Sequence, residues 1–314
     1  MKSVSVSASA FVAASSQASL RHSQTRQTTT SSTVFANRKA TTGASPNKKN
    51  NTKSPKTKKK TTAATPITTS FEPIWSGRFE DMKPVPVHTL ILGTHPSIKS
   101  LEEQQYFGHP MNAFWWIAGD CLGFRRSACL SPNTGKPYAM APHLRYDLDK
   151  VIPYSEQQRA LVGNGFALWD IVRQCRRPGS LDQDIYEEEP NALRDFAEQH
   201  RHTLRRIVFA NGGTGSKIFI KHFQDWLGSG QLEALSGHEG SQKIFAKTIA
   251  REQKKRSNER VDACASSSKK IGLVVALGVS PAAARYSYVE KREFWERYVY
   301  QPGLDDFEAA GKQQ

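Results

Sequence analysis

The first 70 residues of this chain contain neither aspartate nor glutamate, although they hold twelve of its 44 lysine and arginine residues. They also contain few large apolar residues, so they cannot bury enough surface to offset the conformational entropy lost on folding. We therefore expect a basic tail over residues 1 to 70, a folded domain over 71 to 302 and a short tail over 303 to 314. After residue 70 the chain has 32 basic and 29 acidic residues, so the folded part is close to neutral.

The chain also has no run of eighteen apolar residues, which predicts that it has no membrane span. Its four cysteines, Cys121, Cys129, Cys175 and Cys264, include no Cys-x-x-Cys pair. This spacing gives no support for a zinc site, an iron–sulfur cluster or a disulfide framework. We expect reduced thiols, and neither a metal nor another cofactor.

The basic tail has two halves of different composition. Arg21, Arg26 and Arg38 stand among serine and threonine, which is typical of an organelle transit peptide. The run NKKNNTKSPKTKKK, residues 47 to 60, is compatible with nuclear import, with tethering to DNA or with a solvated basic linker. We expect a plastid, a mitochondrion or the nucleus as the location.

One stretch in the folded part combines a strand, a polar loop and a helix. An apolar run ends abruptly in Gly93, and a segment rich in tryptophan follows the loop. This pattern predicts a strand over residues 85 to 93 and a buried helix from Pro110 to Gly123. In open α/β sheets the ligand crevice lies at the carboxyl ends of the strands, so residues 94 to 112 are the first place to expect chemistry.

Three later apolar runs are typical of further strands, with helical segments between them. The predicted strands cover residues 166 to 172, 206 to 212 and 271 to 277, and the predicted helices lie near residues 155 to 162, 215 to 227 and 289 to 300. Strands that alternate with helices favour a parallel sheet covered by helices on both faces. Residues 236 to 270 are charged and poor in apolar residues.

Four blocks of sequence together carry a family resemblance. GTHPSIKSLEEQQYFGHPMNAFW, starting at Gly93, resembles the first signature of the uracil-DNA glycosylase superfamily, in particular its hypoxanthine (deoxyinosine) DNA glycosylase branch; it is also similar to the mismatch-specific uracil/thymine DNA glycosylases. The blocks FALWDIVRQCRRPGSLDQDI, RIVFANGGTGSKIF and SPAAARYSYVEKREFW follow in the family's order. The resemblance implies a three-layer α/β/α sandwich with a central four-stranded parallel sheet, and a surface insertion at residues 236 to 270.

The resemblance also implies roles for residues of the first loop. In the hypoxanthine branch the catalytic role falls on the asparagine of His-Pro-x-Asn-x-Phe-Trp, which is Asn112 here. His95 replaces the catalytic asparagine of the mismatch-specific relatives, and it could donate a proton to a purine or simply hold the loop. The expected substrate-binding residues are Gly93, Thr94, Pro96, Ser97, Tyr106, Phe107 and Asp170. Phe114, Trp115 and Trp116 are expected in the core.

The last block corresponds to a loop that enters the minor groove in relatives. Its expected DNA-binding residues are Ser280, Pro281, Ala282, Ala283 and Arg285. Ala283 stands where hypoxanthine-branch relatives typically carry asparagine. Arg125, Arg126, Lys136 and Arg145 could form a second phosphate-contacting face, or they could be scattered solvated charges.

The leading interpretation is a monofunctional DNA glycosylase that removes hypoxanthine or uracil from DNA and hands an abasic site to downstream repair enzymes. We expect it to act as a monomer. The alternative is a catalytically weakened or inactive DNA-binding relative, because His95 and Ala283 depart from the relatives' patterns. A hydrolase that uses Ser97 or Ser280 with His95 or His109 is a third interpretation, but the glycine-flanked nucleophile elbow is missing.

Overall fold

The computed structural model describes residues 65 to 258 and 269 to 312. The predictions of a transit peptide and of the basic run, together with Cys264, lie outside the described residues. Within the described ranges, no helix combines the length and the apolar character needed to cross a membrane.

Within residues 65 to 258 and 269 to 312, eight strands form two sheets. They are β1 Ile67–Thr69, β2 Thr89–Gly93, β3 Phe166–Asp170, β4 Val172–Arg176, β5 Tyr186–Pro190, β6 Arg206–Phe209, β7 Leu232–Ala234 and β8 Ile271–Val275. The larger sheet has the order β3-β2-β6-β8-β7, and all its pairs are parallel. The predicted parallel sheet is confirmed, with five strands in place of four. The additional edge strand, β7, is only three residues long, too short for a periodicity signal.

Helices connect the strands and continue to the C-terminal end of the described chain. They are α1 Ile98–Glu103, α2 Phe114–Leu122, α3 Tyr154–Val162, α4 Leu193–Gln199, α5 Gly212–His222, α6 Gln224–Gly228, α7 Glu239–Ser241, α8 Lys247–Asn258, α9 Tyr288–Trp295 and α10 Gln301–Gly311. Wider π-type turns, Gln242–Ala246 and Glu296–Tyr300, precede α8 and α10. Short 3-10 turns occupy Ser76–Arg78, Ala141–His143, Leu148–Lys150 and Asp182–Asp184.

The two faces of the parallel sheet support two separate cores. Successive side chains of a strand point to opposite faces, so Leu90 and Ile91 enter different clusters. Leu90 belongs to the cluster that contains Phe219 of α5, whereas Ile91 belongs to the one that contains Trp115 of α2 and Trp295 of α9. The layers are helix, sheet and helix, as the predicted three-layer sandwich requires.

The helix after the first loop begins later than the sequence suggested. It starts at Phe114, and Pro110 lies outside it. The amide of Asn112 donates to the carbonyl oxygen of His109, and the amide of Ala113 donates to Val279 of the last loop. These bonds form a turn where the Pro-first pattern predicts helix, so Asn112 precedes the helix.

The second sheet is antiparallel, with the order β1-β4-β5. Its first strand lies in the range assigned to the tail, since Ile67 pairs with Arg176 and Thr69 with Gln174. The folded domain therefore includes residues before 71. A three-residue strand in a polar context gives no signal in the sequence alone.

Two other assigned ranges also contribute to the domain. Within the expected surface insertion, Phe245 is fully buried and its ring lies 5.1 Å from that of Phe209. Within the expected C-terminal tail, α10 carries Gly303, where an added Cβ would lie 2.6 Å from the ring of Phe166. Both segments pack on the sheet, so they differ from the predicted surface insertion and tail. Isolated core contacts of this kind are not visible in average composition.

Candidate active site

A cleft of about 330 Å³ opens at the carboxyl ends of the parallel strands. Gly93, Asp170, Asn211 and Gly278 reach it from the ends of, or the loops after, four strands. The predicted site residues that line it are Gly93, Thr94, His95, Pro96, Ser97, Tyr106, Phe107, Asn112, Asp170, Ser280, Ala282 and Ala283. Pro281 and Arg285 lie outside its lining. The first and last loops therefore meet in one crevice, as the topology predicts.

Gly93 and Asp170 occupy the same register position on neighbouring strands. A Cβ added to Gly93 would lie 2.2 Å from Oδ1 of Asp170. The glycine at the end of β2 is therefore required by a close approach of a side chain. The carboxyl group of Asp170 lies directly over the backbone at the start of the first loop.

Asp170 is buried with 3% of its surface exposed, and its Oδ2 has no hydrogen-bond partner among the described residues. Burial, together with the charge of Asp182, raises the pKa of Asp170 to about 8, while Arg177 opposes the shift. A carboxyl group with this pKa is mostly protonated at pH 7. It can then donate a hydrogen bond, which an ionised carboxylate cannot do.

Asp182 lines the same cleft, but unlike Asp170 its carboxyl group accepts hydrogen bonds from neighbouring side chains. Its Oδ2 accepts hydrogen bonds from Thr94 Oγ1 at 2.7 Å and from Asn211 Nδ2 at 3.0 Å. Arg177 Nη1 lies 3.4 Å from Oδ1, and its other terminal nitrogen donates to the carbonyl oxygen of Pro96. Burial raises the pKa of Asp182, while the Thr94 and Arg177 contacts oppose the rise.

Asp182, Asn211 and Arg177 belong to the site although the sequence patterns did not mark them as site residues. Two features of the sequence could have identified them as site residues. Arg177 and Asp182 lie within the second matched block, and Asn211 lies near the end of the predicted strand of residues 206 to 212. These residues come together in the fold through a hydrogen bond between Thr94 and Asp182, which are 88 residues apart in the sequence.

Asn112 borders the cleft with 8% of its surface exposed. Its Oδ1 accepts a hydrogen bond from the amide of Phe114, the first residue of α2, at 2.9 Å. Its Nδ2 has no hydrogen-bond partner within the described part of the chain. The side chain thus satisfies the local backbone with its oxygen and presents an amide donor to the cleft.

His95 lines the cleft, but its ring nitrogens are engaged elsewhere. Nδ1 donates to the carbonyl oxygen of Val172 at 3.2 Å, so Nε2 is the acceptor for Thr68 Oγ1 at 2.9 Å. Burial lowers the pKa of His95 to about 4, with a further contribution from the charge of Arg177. A neutral ring with both nitrogens occupied is a poor proton donor. The geometry favours the second interpretation, in which His95 holds the loop against the antiparallel sheet.

The two aromatic residues before α2 have different roles. Tyr106 is a core residue whose hydroxyl donates to backbone carbonyls of residues 71 and 72. Phe107 has a left-handed backbone, with φ of 52°, and its ring stacks on Phe114 with centroids 4.4 Å apart. Phe107 is therefore the better of the two as a stacking surface for a base. Phe114, Trp115 and Trp116 are fully buried, which confirms them as core.

The loop after β8 forms one rim of the cleft. Ser280, Ala282 and Ala283 line it, whereas Pro281 is exposed beyond it. The exposed Arg285 guanidinium lies 5.4 Å from the ring centroid of Tyr286, and within the described residues it forms no ion pair. It is free to contact a phosphate.

The proposed second phosphate-contacting face is not present as predicted. Arg125 is buried against Asp120 at 3.1 Å, and Arg145 pairs with Glu296 at 2.6 Å. Arg126 donates to backbone carbonyl groups of residues 107 to 109. Lys136 is exposed. Most of these charges are therefore used within the protein.

The two serines considered as nucleophiles contact neither histidine. Ser97 Oγ accepts from the amide of Ser100 at 3.2 Å and caps α1. Ser280 Oγ accepts from the amide of Ala282 at 3.2 Å. The geometry gives no support for a serine hydrolase.

No protein-family model matches this chain. A hypoxanthine DNA glycosylase from Methanosarcina barkeri is 32% identical over 129 residues, which cover 40% of this chain and 65% of that protein. A hypoxanthine DNA glycosylase from Methanosarcina acetivorans is 30% identical over 120 residues, 38% of this chain and 61% of that protein. The matches thus span less than two thirds of the length of these relatives.

The solution NMR structure of a candidate uracil DNA glycosylase from Methanosarcina acetivorans aligns with 76% of this chain and 98% of its own. The identity is 21% and the TM-score is 0.44. A score this low supports no conclusion about the present chain. The two sequence relatives confirm that the matched part of this chain resembles hypoxanthine DNA glycosylases.

Proposed function

We propose that this protein is a DNA glycosylase that removes a deaminated base, hypoxanthine or uracil, from DNA. The observation that carries the proposal is the cleft, in which the free amide of Asn112, the carboxyl group of Asp170 and the ring of Phe107 border one space at the carboxyl ends of the strands. Two relatives named as hypoxanthine DNA glycosylases support it.

The reaction requires an extruded nucleotide, because the bond to be broken is inaccessible in a stacked duplex. A water oxygen bonds to the sugar C1′, and the C1′–N bond breaks with its electron pair going to the base, which takes up a proton from the water. Asn112 can position the water or stabilise the developing charge through Nδ2. Phe107 offers a face on which the extruded base can stack.

A hydrolytic, monofunctional reaction fits the surroundings of the cleft better than a lyase reaction does. A lyase needs an amine nucleophile, and no lysine is among the described residues that line the cleft. Lys99, two residues after Ser97 of the cleft, pairs with Glu103 at 2.6 Å, and the hydrogen bond to Glu103 raises the pKa of Lys99. A protonated, paired amine on the surface is a poor nucleophile.

DNA binding is proposed to combine two contributions. The loop of residues 280 to 286 and Arg285 would contact the duplex at the damaged site. The basic tail would add attraction to phosphates that does not depend on sequence. The product would be an abasic site, the substrate of downstream repair enzymes.

The alternative is a DNA-binding relative with weakened or absent catalysis. Ala283 removes a polar side chain from the cleft rim, and His95 presents no free ring nitrogen. In this case the protein would prefer duplexes with a deaminated base but release the base slowly or never.

Single-turnover assays with inosine, uracil and xanthine duplexes, read out as alkali-labile strand cleavage, test the proposal. We expect cleavage at one or more of these bases and none at an undamaged duplex. A parallel preparation of the Asn112→Ala variant controls for contaminating glycosylases. Binding without cleavage by the wild-type protein would favour the alternative.

A further inference from the structure

The carboxyl group of Asp182 is held in place by a closed ring of hydrogen bonds. Thr94 Oγ1 donates to its Oδ2 at 2.7 Å, and Asn211 Nδ2 donates to the same oxygen at 3.0 Å. Asn211 Nδ2 also donates to Thr94 Oγ1 at 3.0 Å, so the three side chains contact one another. Thr94 follows β2 and Asn211 follows β6, so the carboxyl group is fixed between the ends of two strands.

The second oxygen of this carboxyl group has spare capacity to accept. Among the described residues its one hydrogen-bond partner is Arg177 Nη1, at 3.4 Å, which is longer than the 2.7 to 2.9 Å typical of a strong charge-assisted bond. The side chain of Asp182 is 18% exposed and lines the cleft, whereas the side chain of Arg177 is 3% exposed. The arginine therefore neutralises this carboxyl group only in part.

Asp182 is the group that carries negative charge in the cleft at neutral pH. Among the described residues that line the cleft, Asp170 and Asp182 supply the carboxyl groups, and there is no lysine or arginine. Asp170 is mostly protonated at pH 7, because burial and the charge of Asp182 raise its pKa to about 8. The donors around Asp182 favour its ionised form.

A negative charge at this place does not help to bind DNA, since the phosphate groups are negative too. It is suited to a state in which the substrate becomes positive. When the C1′–N bond breaks, its electron pair leaves with the base, and C1′ and the ring oxygen of the sugar share a positive charge. A nearby carboxylate stabilises such an oxocarbenium-like sugar in glycoside hydrolysis.

We propose that Asp182 is a catalytic residue of this cleft and that its carboxylate stabilises the positive charge that develops on the sugar of the extruded nucleotide. The inference rests on the proposed function and deepens it. Neither a proton nor an electron pair moves to or from Asp182. The water oxygen bonds to C1′, and the base takes up the proton that the water loses. The carboxylate is preorganised, so its interaction strengthens as the charge develops.

The first test compares rate with affinity in the full chain. Asp182→Asn keeps a carbonyl oxygen for Thr94 and Asn211 but has no charge. Its single-turnover rate on an inosine duplex should be about 10- to 100-fold lower. Its affinity for the same duplex should be equal to that of the wild-type protein or higher, because a repulsion from phosphate is removed. A purely structural role would lower rate and affinity together.

The matched control is Asp184→Asn. Asp184 lies in the same 3-10 turn, Asp182–Asp184, but it is not among the residues that line the cleft. This variant should retain the rate and the affinity of the wild-type protein within about twofold, because an unpaired charge outside the cleft contributes little.

The second test needs no cleavage. Affinity is measured for a duplex with a cationic pyrrolidine in place of one sugar and for a matched duplex with a neutral tetrahydrofuran. The wild-type protein should prefer the cationic duplex by about tenfold or more, as opposite charges a few ångströms apart in a partly buried site attract. Asp182→Asn should lose this preference, and Asp184→Asn should retain it.

Each outcome decides one of the two proposals. If the wild-type protein cleaves, an unchanged rate in Asp182→Asn, a joint loss of rate and affinity, or a cation preference that does not depend on Asp182 overturns the inference and leaves the glycosylase function standing. A cation preference that depends on Asp182, without cleavage of any base by the wild-type protein, supports the inference and overturns the function. Neither cleavage nor preference overturns both. If Asp182→Asn does not fold, the wild-type preference decides, and its absence overturns the inference.

Discussion

Arg126 Nη1 donates a hydrogen bond to the backbone carbonyl oxygen of His109 at 3.0 Å. The same guanidinium donates to the carbonyl oxygen of Gly108 at 2.6 Å. These two hydrogen bonds hold the turn that follows Phe107. Phe107 itself has a left-handed backbone conformation, which is unusual for a residue with a bulky side chain. Burial lowers the pKa of Arg126 to about 10, so the group stays charged at neutral pH. Arg126 is thus a positioning residue for the wall of the cleft.

Arg126→Met should leave these carbonyl oxygens without donors and loosen the turn. We expect a decrease of about 1 to 3 kcal/mol in the free energy of unfolding. The rate of base release should fall about tenfold as Phe107 and Asn112 lose their positions. Urea denaturation and single-turnover kinetics measure the two effects. The matched control is Lys136→Met, which removes an exposed positive charge from the same segment between α2 and α3. Full activity of Arg126→Met would contradict the assignment of Arg126 as a positioning residue.

His95 gives a prediction about stability at acid pH. Its folded-state pKa is about 4, below the value of about 6.5 for an unfolded histidine, so protonation favours unfolding. The stability that the neutral ring contributes is present above pH 6.5 and is lost as the pH falls from 6.5 through 4. The loss is about 3 kcal/mol for this one group.

His95→Gln retains a donor and an acceptor but does not titrate. Between pH 7 and pH 4.5, the free energy of unfolding should decrease less for this variant than for the wild-type protein. Urea titrations of both proteins at the two pH values measure the difference. Because both ring nitrogens of His95 are hydrogen-bonded, the ring does not donate a proton to the leaving base. The variant should therefore slow the release of hypoxanthine and of uracil by the same factor. A loss confined to the purine would restore the proton-donor interpretation.

Much of the cleft could be predicted because it depends on local patterns. Apolar runs that end in Gly93 and Gly278 mark strand ends, and parallel strands bring such ends together. Asp182 could not be assigned in this way, since its role depends on a contact with Thr94 across 88 residues. The sequence suggests a surface charge at Arg126, because it does not show which arginines are buried against backbone carbonyls.

The missed elements share a physical cause. The strands β1 and β7 have three residues each, and α10 follows directly on a π-type turn after α9. Short elements add little to a periodic signal and are stabilised by their tertiary partners. Their positions require the packed core, which the sequence defines only as a set of apolar residues.

The basic tail gives a prediction about salt dependence. A deletion through residue 64 keeps the β1 strand, and it should flatten the plot of log affinity against log salt by about 0.9 for each phosphate that the tail neutralises in the full chain. The single-turnover rate of bound substrate should be unchanged. A deletion through residue 70 also removes the bond between Thr68 and His95, so it should lower stability as well. Loss of the single-turnover rate in the shorter deletion would show that the tail takes part in catalysis.

The last loop gives a prediction about duplex substrates. Arg285→Ala should weaken binding to a duplex more than binding to a single strand, because a loop in the minor groove is needed only where a stacked partner must be displaced. Ala283→Asn adds a polar side chain at the cleft rim and should keep or raise activity. Affinities and rates on matched single- and double-stranded inosine substrates test both. Equal losses for the two substrates would argue against insertion of this loop.

Asn112 is the residue whose substitution should reduce the rate most. Its Nδ2 is a donor on the cleft that has no partner among the described residues, and a preorganised donor of this kind is commonly worth about 10²- to 10³-fold in rate. Its Oδ1 accepts a hydrogen bond from the amide of Phe114, so Asn112→Ala would lose this bond as well as the donor, at a cost of about 1 kcal/mol in the free energy of unfolding.

Asn112→Asp separates the two functions of this side chain. An aspartate keeps an oxygen for the amide of Phe114 but has no amide donor, so stability should stay near the wild-type value while the rate falls by the same 10²- to 10³-fold. Thermal melts and single-turnover rates on inosine and uracil duplexes provide the comparison. If Asn112→Asp were as fast as the wild-type protein, the oxygen that accepts from Phe114 would be the atom that matters for the rate. Catalysis would then have to depend on Asp170 and on the backbone of the first loop.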